Sequence, residues 1–262
     1  MIHRRSVRPA LLALLAGVLC AGLSACASPL GRDDPRALWR IVHGLCVRDE
    51  RLLHIPAPCL AVNLKGGWAV VKDPKEKSHL LLVPTHRVTG VEDPALQKPD
   101  SPNYWQAAWE QRGRFERLVG KPVPRDGIGL AVNSLYGRTQ DQLHIHLDCV
   151  KAPMAQAIGW QLKWIGPAWA PLKGHVLAGF YGRRLYGEDF GDRDPFKLIV
   201  RGLPEARLRM AGETLAAIGV TFPDGKPGFV LLAHAAQLDA NDAAAAEGLL
   251  DHGCAIVGGQ MR

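Results

Sequence analysis

Residues 142–148 constrain the fold more than any other stretch, because polar and apolar side chains alternate through them without a break. Such alternation is typical of a β-strand that packs one face against a hydrophobic core. The packed face would consist of Leu143, Ile145 and Leu147. The opposite face would be open to solvent and carry four polar side chains: Gln142, His144, His146 and Asp148. Two imidazoles on one exposed strand face, framed by an amide and a carboxylate, make this strand the expected active site.

The rest of the chain predicts an α+β fold with a mostly antiparallel sheet. Apolar runs predict strands over 67–72, 79–83 and 128–133, and helical spacing predicts helices over 37–47 and 104–119. The C-terminal half predicts a hairpin of 215–221 with 229–233 and an alanine-rich helix over 238–250.

The N-terminus resembles the signal peptide of an exported bacterial lipoprotein. Residues 1–8 are basic, and residues 9–23 form an apolar run that is short for a membrane-spanning helix. The run ends in Leu-Ser-Ala-Cys at 23–26, which is similar to the lipoprotein box. This resemblance implies cleavage before Cys26, acylation of its thiol, and an anchor on the periplasmic or extracytoplasmic face of a membrane. The alternatives are an ordinary signal peptide and an uncleaved N-terminal anchor.

We therefore divide the chain into a signal peptide (1–25), a tether (26–36) and one domain (37–262). Three of the 32 basic residues lie in 1–25, which leaves 29 basic against 25 acidic residues in the remainder. This mildly basic balance suits anionic phospholipid surfaces or phosphate-bearing substrates. It is too weak to indicate nucleic-acid binding.

Four cysteines remain once Cys20 and Cys26 are set aside, and in an oxidising compartment they allow three pairings. We favour a short local disulfide, Cys46–Cys59, and a second one, Cys149–Cys254, that ties the central strand to the C-terminus. The alternative is that some of these cysteines are free buried thiols.

His144 and His146 carry the chemistry that the central strand predicts. A neutral imidazole can attack phosphorus at neutral pH because its unperturbed pKa is about 6.5. The attack forms a covalent phosphoramidate and divides one difficult displacement into two easier steps. The preceding loop can offer a phosphate the backbone N–H groups near Gly137, the Thr139 hydroxyl and the Asn133 amide.

These residues resemble the histidine-triad (HIT) nucleotide hydrolases and transferases. The family's Gly-x-Ser/Thr followed by His-x-His-x-His is similar to residues 137–146, and its strand ending in Pro-x-His is similar to 80–87. The resemblance implies a HIT-like fold over about 60–150 with a C-terminal part over 151–262. It implies that His144 is the nucleophile and that His146 assists at the phosphate and leaving group. We expect the substrate-binding residues to be Asn133, Thr139, Gln142, His86 and His175.

The sequence departs from the triad pattern in two ways. Gln142 stands where the family has its first histidine, and the loop 133–139 is about two residues shorter than usual. If Asn133 and Gln140 set the register instead, His146 becomes the nucleophile and Asp148 takes the third position.

A closer resemblance, to the bacterial CDP-diacylglycerol pyrophosphatases, covers most of the chain after the signal peptide. The matching features are the four cysteines, NSLYGRTQ followed by HIH, Lys-Gly-His at 173–175, PEAR at 204–207 and Asp-His-Gly-Cys at 251–254. This resemblance implies hydrolysis of CDP-diacylglycerol to CMP and phosphatidate, with CMP transferred first to His144. We expect a monomer that needs no cofactor and no metal.

Other interpretations of the same residues stay open. His144, His146 and Asp148 could hold zinc. The chain could hydrolyse soluble dinucleotides or nucleoside phosphoramidates, or it could bind nucleotides or lipids without turnover. For Trp160, Trp164 and Trp169 we expect core packing rather than a rim that faces lipid. No role is assigned to His252.

Overall fold

The computed structural model describes residues 34–258. The predicted signal peptide, the acylation site at Cys26 and most of the tether lie outside the described residues. Across 34–258, no helix combines the length and the apolar character needed to cross a bilayer.

The described residues contain seven α-helices: α1 (Ala37–Ile41), α2 (Val47–Leu53), α3 (Tyr104–Glu110), α4 (Arg112–Val119), α5 (Ala152–Gly159), α6 (Pro195–Gly202) and α7 (Pro204–Leu208). A π-helical turn, Val42–Cys46, joins α1 to α2. The strands are β1 (Ala61–Asn63), β2 (Trp68–Lys72), β3 (Leu80–Pro84), β4 (Ile128–Val132), β5 (Ile145–Val150), β6 (Ala170–Pro171), β7 (Tyr181–Tyr186), β8 (Glu213–Thr221), β9 (Pro227–Ala235) and β10 (Leu250–Asp251). Short 3-10 helices lie in the connections: Pro94–Gln97, Arg125–Gly127, His175–Leu177, Met210–Gly212, Leu238–Ala240, Ala246–Leu249 and Ala255–Val257.

These strands form one sheet in the order β1-β2-β3-β5-β4-β8-β9-β7-β6, and all neighbouring pairs are antiparallel. β10 pairs with the end of β5, beyond the residues of β5 that pair with β3. Helices packed on a large antiparallel sheet confirm the predicted α+β class. The C-terminal hairpin is also confirmed, since β8 and β9 pair along their whole length.

One face of the sheet packs against α3 and α4 and holds the larger core. Trp105, Trp109 and Phe115 of these helices belong to this core. The apolar side chains of the alternating stretch lie in the same core, as predicted: Leu143, Ile145 and Leu147.

The polar side chains of that stretch are also buried, so the expected solvent-exposed face is wrong. His144 is 8% exposed, His146 4% and Asp148 0%. The segment 243–254 reaches this face, because β10 pairs with β5 and His252 forms a hydrogen bond with Asp148. A pattern of period two shows that one face is polar, but it does not show what a distant part of the chain places over that face.

β5 begins at Ile145, which is later than the alternation predicts. Its partner β3 ends at Pro84, and the pairing of the two strands stops where Leu82 faces Ile145. Proline has no N–H to donate, so the ladder cannot continue through it. Leu143 instead donates its N–H to the carbonyl of Val88 at 2.7 Å.

The α-helix predicted over 238–250 is wrong, because this segment consists of two short 3-10 helices joined by irregular residues. Asn241 and Ala244 have positive φ angles of 57° and 51°. The N–H of Ala246 donates to Thr214 Oγ1, and the N–H of Glu247 donates to Asn133 Oδ1. Because these groups have partners on neighbouring elements, tertiary contacts override the helix propensity of the alanines.

Both predicted disulfides are confirmed. The Cα atoms of Cys46 and Cys59 lie 5.6 Å apart, and those of Cys149 and Cys254 lie 5.2 Å apart. The first bond closes a local loop near the N-terminal helices. The second ties β5 to the segment that covers its polar face.

Replacing Cys149 and Cys254 together by serine should lower both stability and activity. The bond closes a separation of 105 residues, and chain entropy predicts a loss of about 4 to 5 kcal/mol in the free energy of unfolding. Denaturant titration measures the loss. The matched control replaces Cys46 and Cys59, whose separation is 13 residues and whose expected loss is about 3 kcal/mol. Equal activity losses in the two variants would contradict a particular role of the second disulfide at the polar face.

Candidate active site

His144 lies directly before β5, and its ring is held by the backbone. Its Nδ1 lies 2.7 Å from the carbonyl oxygen of Gln142. A carbonyl only accepts hydrogen bonds, so Nδ1 carries the proton and Nε2 keeps its lone pair. Burial lowers the pKa of His144 and keeps the ring neutral. The result is an imidazole with a fixed tautomer and an unprotonated Nε2.

His146 lies next to His144 on the same face of β5. The two ring centroids are 4.8 Å apart, edge to face. His146 Nδ1 forms a 2.9 Å hydrogen bond with His79 Nε2, and His146 Nε2 is buried without a hydrogen-bond partner among residues 34–258. Burial and the neighbouring histidines hold the pKa of His146 well below its usual value. His146 is therefore neutral and deeper in the protein than His144.

His79 is a site residue that sequence reasoning missed. It precedes β3 and is 1% exposed. Its ring stacks between His146, at 5.1 Å, and His252, at 4.5 Å. Burial lowers the pKa of His79 to about 4. The register of β3 on β5 places His79 near His146, but the sequence does not give that register.

His252 was also missed, and it pairs with Asp148. His252 Nδ1 donates to Asp148 Oδ2 at 2.7 Å. Burial raises the pKa of Asp148 to about 6. Burial alone would lower the pKa of His252, but the hydrogen bond and charge of Asp148 outweigh it and raise that pKa. β10 and the Cys149–Cys254 disulfide bring His252 to the site.

Asn133, which was predicted to bind substrate, forms hydrogen bonds with Glu247, a residue that the sequence did not identify as part of the site. The Asn133 side chain accepts from the Glu247 N–H at 2.9 Å and donates to Glu247 Oε2 at 3.2 Å. The other carboxylate oxygen, Oε1, lies 3.6 Å from His146 Nδ1 and 3.7 Å from His252 Nε2. Asn133 thus positions a carboxylate between two of the histidines.

Gln142 is buried, and its amide is occupied within the protein. Its Nε2 donates to the carbonyl oxygens of Pro84 at 3.0 Å and His86 at 2.8 Å. Arg87 donates to its Oε1 at 3.4 Å. These bonds fasten the start of β5 to the end of β3, and they fix the carbonyl that orients His144.

The other predicted binding residues lie at the surface. Thr139, His86 and His175 are all exposed. His175 follows α5 near β7, and β7 is four strands away from β5 in the sheet, or about 19 Å at the usual strand spacing. The structure therefore brings His144, His146 and Asn133 together and leaves His175 apart from them.

The loop between β4 and β5 packs against the C-terminal segment. A Cβ on Gly137 would lie 3.0 Å from the Ala244 carbonyl oxygen, a tight contact that favours glycine at this position. The N–H groups of Gly137 and Arg138 donate to the carbonyl of Ser134. These N–H groups, which we expected to face a phosphate, are used within the turn.

Arg138 is a buried cation whose charge acts on His144. It donates to Glu92 Oε2 at 2.6 Å and to Asp141 Oδ1 at 3.3 Å. Its Nε is buried and has no hydrogen-bond partner among the described residues. Its charge helps to lower the pKa of His144, after the larger effect of burial.

Two clusters in the described residues have metal-binding donor atoms. His79, Glu247 and His252 each offer one ligand atom, and these atoms lie within 4.8 Å of one another. Two imidazoles and a carboxylate are a donor set suited to zinc. The other cluster, Asp148 with Cys149 and Cys254, has its sulfur atoms in a disulfide. Neither cluster is the zinc set considered from the sequence, which joined Asp148 to His144 and His146.

Neutral buried imidazoles, one of them with a fixed tautomer, define a site suited to nucleophilic chemistry. A family model described as CDP-diacylglycerol pyrophosphatase matches residues 33–258. A Yersinia pestis protein named CDP-diacylglycerol pyrophosphatase is 36% identical over 241 residues, which is 92% of this chain and 91% of that protein. The chain therefore belongs to the CDP-diacylglycerol pyrophosphatase family, and it is a hydrolase. The matched region includes Glu247 and His252.

Replacing Gln142 by leucine should destabilise the fold by about 1 to 3 kcal/mol, because the carbonyl oxygens of Pro84 and His86 would lose a buried donor. Denaturant unfolding measures this loss. The matched control is Gln161→Leu, which removes bonds to the carbonyls of Ala157 and Lys173 at a more exposed position. We expect the smaller loss for the control, and equal losses would contradict the role given to Gln142.

Proposed function

We propose that this protein hydrolyses CDP-diacylglycerol to CMP and phosphatidate through a covalent nucleotidyl intermediate on His144. The single observation that carries the mechanism is the hydrogen bond from His144 Nδ1 to the Gln142 carbonyl, because it leaves Nε2 as a neutral nucleophile. The substrate is that named for the family and for the Yersinia pestis relative. The same bond favours His144 over His146 as the nucleophile.

In the first step, the lone pair of His144 Nε2 attacks the phosphorus that bears the cytidine. The P–N bond forms, the P–O bond of the pyrophosphate breaks, and phosphatidate leaves with the bond's electron pair. In the second step, water attacks the same phosphorus, the P–N bond breaks, and CMP leaves. The proton of water passes to the medium or to the released phosphate, and His144 regains its neutral form.

The surrounding charges suit this course. The charge of Arg138 acts on His144. Its guanidinium is paired with Glu92 and Asp141, but its buried Nε lacks a partner among the described residues. A positive charge in a desolvated site stabilises the negative charge that builds up on phosphate oxygens. His146 is neutral, so its role would be to donate a hydrogen bond rather than to act as a strong acid.

Three further features of the protein are proposed here: its superfamily, its oligomeric state and its place in the cell. We propose a HIT-like site that one chain completes by itself, since segment 243–254 covers the histidine face and β8 pairs with β4. This arrangement supports a monomer. We also propose that Cys26 is acylated and anchors the domain on the periplasmic or extracytoplasmic face of a membrane. Light scattering of the detergent-free domain that showed an obligate dimer would argue against the monomer.

His144→Ala should abolish hydrolysis, with a loss of roughly 10³-fold or more, as expected when a covalent nucleophile is removed. The assay uses the full chain in detergent micelles with CDP-diacylglycerol and EDTA, and it quantifies CMP and phosphatidate. The control is His234→Ala. Like His144, His234 is buried and holds a hydrogen bond, in its case with the Asp242 carboxylate, but it lies outside the site.

Quenching the reaction with the substrate labelled in its cytidylyl phosphate should trap a label on the protein, and His144→Ala should lose it. A label that survives in this variant and maps to His146 would show that His146 is the nucleophile instead. Hydrolysis that fails in EDTA and returns when zinc is added would contradict the metal-free mechanism. Faster turnover of soluble dinucleotides than of CDP-diacylglycerol would contradict the proposed substrate.

A further inference from the structure

A deep apolar groove lies beside α5, apart from the histidine site. Its volume is about 680 Å³, within the range of sites that hold small ligands. The groove is formed by the end of α5, the turn after it and the strand β6. Two tryptophans at its mouth, Trp160 and Trp164, are each 69% exposed. The core packing expected for these two residues is therefore wrong, whereas Trp169 is half-buried and donates to the Leu198 carbonyl.

The stretch of sequence that forms the groove contains basic residues and no acidic ones. Residues 150–187 contain no aspartate or glutamate, although the whole chain has 25 acidic residues. The same stretch contains five basic residues. Of these, Lys173 lines the groove. Lys163 Nζ lies 4.1 Å from the centre of the Trp164 ring. Lysines near an anionic lipid surface strengthen binding to it.

The groove lies on the same face of the sheet as the histidines. Ala131 of β4 pairs with His146 of β5 in register, so their side chains point to one face. Ala131 shares a core with Met154 and Ala157 of α5, and Ala157 also lines the groove. The groove and the histidines therefore lie on the same face of the sheet, with α5 between them.

We propose that this groove, with Trp160 and Trp164 at its mouth, docks the protein on an anionic phospholipid bilayer and admits an acyl chain. Exposed tryptophans beside lysines are the composition that suits the boundary between lipid headgroups and acyl chains. Lys173 in the lining and Lys163 on Trp164, with no acidic residue in the lining, fit an anionic lipid surface. The docking goes beyond the proposed reaction and needs no turnover, and it would orient the histidine face relative to the membrane.

The test uses tryptophan fluorescence of the full chain in vesicles of phosphatidylglycerol and phosphatidylcholine with brominated acyl chains. Bromine quenches only those indoles that reach the chains. The double variant Trp160→Phe and Trp164→Phe should lose most of the quenching. The control is Trp68→Phe, at a half-buried position on β2, which should keep it. Thermal unfolding checks that both variants are folded.

Replacing Lys163 and Lys173 by alanine should weaken the quenching in anionic vesicles, and neutral phosphatidylcholine vesicles should show less quenching than anionic ones. Quenching that is unchanged in the double tryptophan variant would overturn the proposal. So would a stable dimer in which these two indoles are shielded from an aqueous quencher. Hydrolysis of a short-chain, water-soluble CDP-diacylglycerol should be unchanged in the tryptophan variant, so a failure of docking is distinguishable from a failure of the reaction.

Discussion

The site depends on one chain of hydrogen bonds at the start of β5. The buried amide of Gln142 donates to two carbonyl oxygens at the end of β3, and the Gln142 carbonyl in turn accepts from His144 Nδ1. Breaking any of these bonds would leave a buried polar group unsatisfied, which is costly. The tautomer of the proposed nucleophile therefore follows from the way two strands are joined. Pro84 contributes as well, because it ends the ladder and leaves its carbonyl free for the glutamine.

Desolvation sets the charge state of the histidines. Burial lowers the pKa of His144, His146 and His79, so these three imidazoles are neutral. His252 differs because Asp148 faces it and its pKa is raised. The cover that causes this burial comes from the C-terminal segment, which the Cys149–Cys254 disulfide ties to β5. Closure of the polar face therefore has two effects: it keeps His144, His146 and His79 neutral, and it brings His252 into a hydrogen bond with Asp148 that raises the pKa of His252.

The sequence predicts local features well, but it does not predict which distant segments cover the polar face of β5. The apolar face of residues 142–148, the C-terminal hairpin and both disulfides could be predicted, because each depends on patterns or chemistry along the chain. His79, Glu247 and His252 could not, since a strand register and an irregular segment 100 residues away bring them to His146. The alanines near 244 favour a helix, but Asn133 and Thr214 offer better partners to the backbone there. The exposure of Trp160 and Trp164 could not be predicted, because the sequence does not show which side chains of the turn after α5 the rest of the fold covers.

The most direct test of the central claim is the tautomer of His144 in the resting enzyme. Nitrogen-15 NMR of the histidine-labelled full chain in micelles distinguishes the two ring nitrogens, and the spectrum of a His144→Gln variant identifies the signals of this ring. The account predicts a neutral imidazole at pH near 7, with the proton on Nδ1 and an unprotonated Nε2. A ring protonated on Nε2, or a charged imidazolium at that pH, would contradict it, because His144 would then have no free electron pair on Nε2 with which to attack phosphorus.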